Sequence, residues 1–321
     1  MDLALPEVAV DLGDVARRAM SEAGGFDLAR QAVDYPALRW EVAQPIVEQL
    51  GIDELDVRSN LEALVAGAEV CRWSGALAFP FPLPALLARP IGGEARFVAA
   101  VDEGGTWADH ADLAGPWVAL STDGQARQAV HDPRPRHRTL GPFVGHLSLD
   151  ADAPEFGTEE LVLFCLLDCW RILGALEAAS ELSVAHVRDR RQFGRALAEF
   201  QGVQFHVADS AVAVRGLRQL AKYTACRVAD LGSLALVDAL ALRAFALESA
   251  NTVLSTSHLL HGAVGFCDEH DLSVITTSIQ SSLRLPSDLA RTQELLTAEI
   301  DRQGFAGLFE WGEPTETRRT T

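Results

Sequence analysis

Apolar residues recur at helical spacing over two long parts of the chain and in short strand-like runs between them. Residues 1–92 carry amphipathic stretches such as Val57 to Val70. They end at Phe79-Pro-Phe-Pro-Leu-Pro84, whose prolines remove backbone donors and stop regular structure. This pattern predicts an N-terminal helical domain. Over 93–152 the texture changes to short apolar runs, Arg96 to Val101, Trp117 to Ser121 and Phe143 to Leu149, separated by Gly, Asp and Pro. They predict a short middle β domain. After Gly157 no proline occurs until Pro286, and Leu, Ala, Val and Arg recur at helical spacing. Long helices are predicted over 158–188, 200–231 and 234–261, with shorter ones to 303, forming a C-terminal helical bundle over 153–305. Along the second, Val203, Val207, Ala211, Val214 and Leu217 mark a core or subunit-interface stripe. Trp311–Thr321 is polar, and residues 306–321 are predicted to be a flexible tail.

Composition narrows the classes. With 321 residues, 48% hydrophobic and 22% charged, the chain can bury a sizeable core. Its 27 Lys and Arg against 45 Asp and Glu give a net charge of -18. That balance argues against nucleic acid and anionic membranes as partners, so any anionic ligand must be met by local cations. No basic segment backed by an apolar run opens the sequence, and no uninterrupted run of about 18 apolar residues follows, so a soluble cytoplasmic protein is expected. The five cysteines, Cys71, Cys165, Cys169, Cys226 and Cys267, are scattered and suit free thiols in a reducing compartment. Cys165 and Cys169 stand at a helical i,i+4 spacing that two metal ligands can share, but no His or carboxylate accompanies them at ligand spacing, so packing is their assigned role. His258 and His261 are read the same way. The sequence holds no GxSxG elbow, Walker A loop, GxGxxG after a strand or HExxH helix.

Two local patterns carry chemistry. In Arg188-Asp-Arg-Arg-Gln-Phe-Gly-Arg-Ala-Leu-Ala-Glu-Phe-Gln201 several arginines flank a predicted helix end, a break at Gly194 and a new helix start. Guanidinium forks beside helix-terminal amides suit a phosphate or diphosphate, although charge alone describes a solvated cluster. In His261-Gly-Ala-Val-Gly-Phe-Cys-Asp-Glu-His-Asp-Leu272 a long helix ends on glycines that permit tight turning and close backbone approach.

Together these segments resemble the acyl-CoA dehydrogenase family. The family pattern R-x-Q-F-G, then F-Q, then H-G-G-x-G-F-x-x-E-H-D-L stands here as Arg190-Arg-Gln-Phe-Gly194, Phe200-Gln201 and His261 to Leu272. The resemblance covers roughly residues 158–300. It implies a mainly α fold with an N-terminal helical domain, a middle β domain that is shortened here and a C-terminal four-helix bundle. It further implies FAD held between subunits and oxidation of acyl-CoA to 2,3-enoyl-CoA. Arg190 is then similar to the arginine that meets the FAD diphosphate. Gln192 and Phe193 would line the cofactor, Gln201 would reach it from the next helix, and Gly262 and Gly265 would let backbone pass the adenosine half.

The departures from the family pattern are equally specific. Leu259 replaces a glutamine, Ala263 replaces the second glycine, and Val274-Ile-Thr-Thr277 replaces a basic pair. The catalytic glutamate of the family has two seats. One corresponds to the Arg284-Leu-Pro286 neighbourhood and the other to Phe164, so both are without a carboxylate. Glu160, Asp168 and Asp288 lie close by in sequence and are the alternative bases. A flavin-type arginine segment with a reduced β region and no base resembles the degenerate subunit of heteromeric acyl-CoA dehydrogenases of actinobacterial sterol catabolism. This implies an FAD-binding partner subunit that carries the glutamate, a bulky acyl-CoA substrate and electron-transferring flavoprotein as acceptor. Two other readings stand beside it. One is a self-sufficient homotetrameric acyl-CoA or acyl-carrier-protein dehydrogenase using Glu160, Asp168 or Asp288, and the other is a flavin-free helical scaffold.

Overall fold

The computed structural model describes residues 5–102, 105–134 and 139–303. Residues 306–321, read above as a flexible tail, lie outside the described residues. The first part holds α1 (Glu7–Glu22), α2 (Phe26–Asp34), α3 (Gln44–Gln49), α4 (Leu61–Ala76) and α5 (Leu83–Leu87). α4 starts later than the Val57 to Val70 pattern because Asn60 caps it: its side chain accepts a hydrogen bond from Ala63 N–H at 2.9 Å. Most of α4 is buried, since α1 covers one face and the C-terminal bundle the other.

The middle part is a five-stranded sheet of β1 (Phe97–Val101), β2 (Trp107–Ala108), β3 (Trp117–Ser121), β4 (Ala126–Asp132) and β5 (Gly145–Asp152), in the order β1-β3-β4-β5-β2. β1 and β3 pair in parallel and the other neighbours antiparallel. β1 and β3 are almost wholly buried, which is why they read as apolar runs. β4 buries only Ala126 and Ala129 and turns polar residues to solvent, so it carries no such signal and was not predicted.

The remainder is helical: α6 (Thr158–Asp189), α7 (Gln201–Leu231), α8 (Leu236–His261), α9 (Asp271–Ser278), α10 (Gln280–Arg284) and α11 (Leu289–Gln303). The long helices fall within a few residues of the predicted spans. α6, α7, α8 and α11 form the bundle, in which α8 touches the other three, and α4 is laid against α6. α4 and α6 touch backbone to backbone. A Cβ on Gly75 would lie 1.9 Å from Arg171 O, and one on Gly174 would lie 1.7 Å from Arg72 O, so neither position accepts a side chain while the helices keep this approach. Among the described residues no helix is long and apolar enough to cross a membrane.

Candidate cofactor corner and the closed crevice

The arginine segment is a β-hairpin, not only a break between helices. α6 ends at Asp189, Arg190 is extended, and the two-residue strands β6 (Arg191–Gln192) and β7 (Arg195–Ala196) pair across Phe193 and Gly194. Both turn residues have positive φ, 51° and 80°, as a two-residue type I′ hairpin requires. Glycine takes this freely, whereas a phenylalanine is strained there, and strain of this kind concentrates at functional positions. Phe193 is also 90% exposed. Arg190, Arg191, Gln192 and Gln201 are exposed, and Arg195 lies over the Phe200 ring at 3.9 Å. The hairpin therefore carries cations and an aromatic out from the bundle's end, and among the described residues Arg190 and Arg191 form no ion pair.

The glycine turn is its neighbour. The His186 ring, near the end of α6, is 4.4 Å from His261 at the end of α8, and His261 is 4.8 Å from His270, which caps α9 by accepting from Leu272 N–H. Burial holds His186, His258 and His261 below the usual histidine range, and the Arg190 guanidinium adds to it at His186. Gly262 ends α8 at φ 62° with open space where a side chain would stand. Gly265 differs: it is buried, and its Cβ would come within 2.9 Å of His261 Cβ and 3.2 Å of Leu272 Cδ2, so the packing of α9 demands it. Arg30 of α2 fastens the following loop, donating to the carbonyls of Asp268 and Glu269 and pairing with Asp271.

The two places that the resemblance gives to the base, Phe164 and the Arg284-Leu-Pro286 neighbourhood, lie elsewhere. Phe164 of α6 and Leu285 line one crevice between sheet and bundle, together with Trp107, Trp117, Asp168 and Arg171. Its volume is about 40 Å³, room for only a few water molecules at roughly 10–15 Å³ each. The space is taken by a buried ionic network. Arg171 Nη1 reaches Asp109 Oδ2 at 3.2 Å and Ser282 Oγ at 3.0 Å, and Ser281 Oγ donates to Asp109 at 2.6 Å. Ser282 Oγ donates to Asp168 at 2.6 Å, while Arg243 Nη1 faces Asp168 at 3.4 Å and its Nη2 is held by the Leu285 and Ser287 carbonyls at 2.6 and 2.9 Å. Sequence reading missed Arg171 and Arg243. The available signal was a lone arginine in the middle of an apolar helix, which is rarely buried without a partner.

The alternative bases divide accordingly. Asp168 lines the crevice but is spent on Arg243, Arg171 and Ser282. Glu160 sits in the first turn of α6, accepting from Gly157 N–H at 2.7 Å and from Arg58 at 2.9 Å. Asp288 precedes α11 and accepts from Arg291 N–H at 3.0 Å, an N-cap contact. Cys165 and Cys169 are buried, and burial pushes the Cys165 thiol up to about 11 and holds Cys169 well above its ordinary value.

FAD suits this chain unequally at its two ends. The exposed arginine hairpin beside the open Gly262 turn fits a diphosphate, whereas the filled crevice has no space for a flavin ring.

Comparison with known proteins agrees with this architecture. Residues 165–282 match the family described as acyl-CoA dehydrogenase, C-terminal domain. Thus the chain carries the acyl-CoA dehydrogenase C-terminal domain, within an acyl-CoA dehydrogenase fold; FAD is the cofactor of that family. One relative is the acyl-CoA dehydrogenase IpdE2 of Mycolicibacterium smegmatis, 29% identical over 128 residues, 40% of this chain and 39% of that protein. The chain is also similar in structure to the ChsE4-ChsE5 complex from Mycobacterium tuberculosis (TM-score 0.78, 20% identity, 96% of this chain and 100% of that one). A steroid ACAD, the Tcur3481-Tcur3483 G363A variant, gives a TM-score of 0.69 at 18% identity over 92% of this chain and 98% of that one. The sequence alignments span only 23% to 39% of the curated relatives' own lengths.

Proposed function

We propose that this chain is the degenerate subunit of an FAD-dependent acyl-CoA dehydrogenase, working with a second acyl-CoA dehydrogenase-like subunit that carries the glutamate base. The observation that carries the reading is the crevice: Phe164, and Leu285 of the Arg284-Leu-Pro286 neighbourhood, the two places that the resemblance gives to the base, open on it, and it has no room for a flavin ring or a thioester. α,β-Dehydrogenation needs a carboxylate at the α-carbon while FAD, when bound, takes the hydride leaving Cβ. Here an aromatic and an aliphatic side chain stand where the carboxylate belongs.

This chain's part is then to bind and orient. Arg190 meets the diphosphate, Gln192, Phe193 and Gln201 line the cofactor, and Gly262 allows close backbone approach. Gly265 keeps the turn in shape rather than touching the ligand. The mostly exposed first part of α7 and the projecting Phe193 suit burial against the partner. Steroid-derived acyl-CoA is the proposed substrate class, supported by the similarity to a structure described as a steroid ACAD, and electron-transferring flavoprotein is the proposed acceptor.

Native mass spectrometry of the chain purified from its own host tests this. An unlike dehydrogenase-like chain with one FAD per unlike pair is expected. A homomeric species with FAD in every subunit overturns the reading and returns attention to Asp168, the one alternative carboxylate that lines the crevice.

A further inference from the structure

Beside the closed crevice, and sharing Arg171 as a wall, lies a second cavity of about 370 Å³ that none of the cofactor or base positions enters. It is bounded by α2, the loop after α4, the sheet loops at His110 and Phe143, and α9. Its size falls within the roughly 300–1,000 Å³ of small-molecule sites. Val33, Phe79, Pro80, Phe143 and Val274 make its walls apolar.

Its backbone is strained on two sides. Among the described residues three non-glycine residues have positive φ, and two of them, Ala78 at 52° and His110 at 55°, line this cavity. Backbone strain of this kind is kept where proteins hold ligands.

The polar equipment is specific. Arg39 Nη1 lies 3.3 Å from His110 Nδ1, and because a guanidinium only donates, Nδ1 accepts and the proton sits on Nε2. The nearest carboxylate oxygen to Nε2, Asp109 Oδ1, is 3.8 Å away, too far for a hydrogen bond. Burial keeps the imidazole neutral, pushed down to about 3. Thr277 and Ser273 add hydroxyls.

Charge at the mouth selects further. Asp34, Asp268 and Glu269 stand there; Arg30 beside them is engaged by Asp27 and Asp271, and Arg171 in the wall is paired with Asp109 and Asp168. The local field therefore repels phosphates and carboxylates.

We propose that this cavity binds a small, uncharged, largely apolar molecule bearing a carbonyl or hydroxyl oxygen, with His110 donating to that oxygen and Phe79, Phe143 and Val274 enclosing the body. The site is independent of the flavin reading, since it uses none of its cofactor residues.

Saturation-transfer NMR on the full chain tests it, with 1-indanone as the neutral probe and 1-naphthoate as the anionic one. Transfer to 1-indanone but not to 1-naphthoate is expected. Val33→Trp and Thr277→Trp, both at exposed positions on the rim, should each abolish it, and His110→Asn should weaken binding roughly tenfold, the scale of one buried hydrogen bond. No transfer to 1-indanone at millimolar concentration, equal transfer to 1-naphthoate, or unchanged transfer in both tryptophan variants overturns the proposal. Undiminished binding by His110→Asn removes His110 from it.

Discussion

Phe164 and Leu285 come from helix α6 and from the segment after α10, more than a hundred positions apart in the chain, yet they line one 40 Å³ crevice. Restoring a carboxylate at one of them should not restore chemistry. Phe164→Glu, assayed alone for dye reduction by an acyl-CoA, is expected to stay at background because the Arg171 network fills the crevice beside it. Turnover by this variant alone would show that the crevice opens.

Asp168 balances two buried guanidiniums. Asp168→Ala leaves Arg243 buried without its carboxylate and should cost about 3–5 kcal/mol in urea denaturation, the usual penalty for removing one partner of a buried ion pair. A loss below about 1 kcal/mol, the level of a surface pair, would mean water reaches Arg243.

Arg190→Ala should leave the helical circular-dichroism spectrum unchanged, since its side chain is exposed, and weaken FAD retention in the assembled complex roughly tenfold or more, the scale of a charge-assisted hydrogen bond. Flavin content unchanged after exhaustive dialysis would reject the diphosphate role.

Gly174→Ala should destabilise the fold by at least the 1–3 kcal/mol or so typical of overpacking, because its Cβ would sit 1.7 Å from Arg72 O and only helix separation relieves that. Gly194→Ala meets no atom within 4 Å and costs only the positive-φ penalty of about 1–2 kcal/mol. Equal melting temperatures for the two variants would contradict the close α4–α6 contact.

His110, His186, His258 and His261 are all depressed from the ordinary value of 6.5, chiefly by burial. The unfolded chain therefore takes up protons that the folded one refuses, and stability falls as pH drops below 6.5. For His110 the loss continues down to about 3, at up to about 1.4 kcal/mol per pH unit. Urea midpoints measured from pH 7 to pH 4.5 should decline, and less steeply in His110→Asn. Parallel slopes would show that His110 is already charged in the fold.

Much of this protein is written in local sequence. Helix periodicity located α6, α7 and α8, because a long bundle helix must repeat its buried face every three or four residues whatever it packs against. The hairpin residues and the glycine turn were legible as motifs, because turn geometry is a local demand on residue type. That Phe164 and the Arg284-Leu-Pro286 run hold no carboxylate was legible by the same token, as residue types. Strand β4 was not, since a strand with one face in water has too few apolar residues to announce itself. Tertiary structure alone decided the rest. Only folding brings Phe164 beside Leu285, closes their crevice with Arg171, Asp168 and Arg243, and shapes a second cavity around Ala78 and His110. Those relationships join residues far apart in the chain, and their energies come from burial and mutual neutralisation, which exist only once water has been excluded.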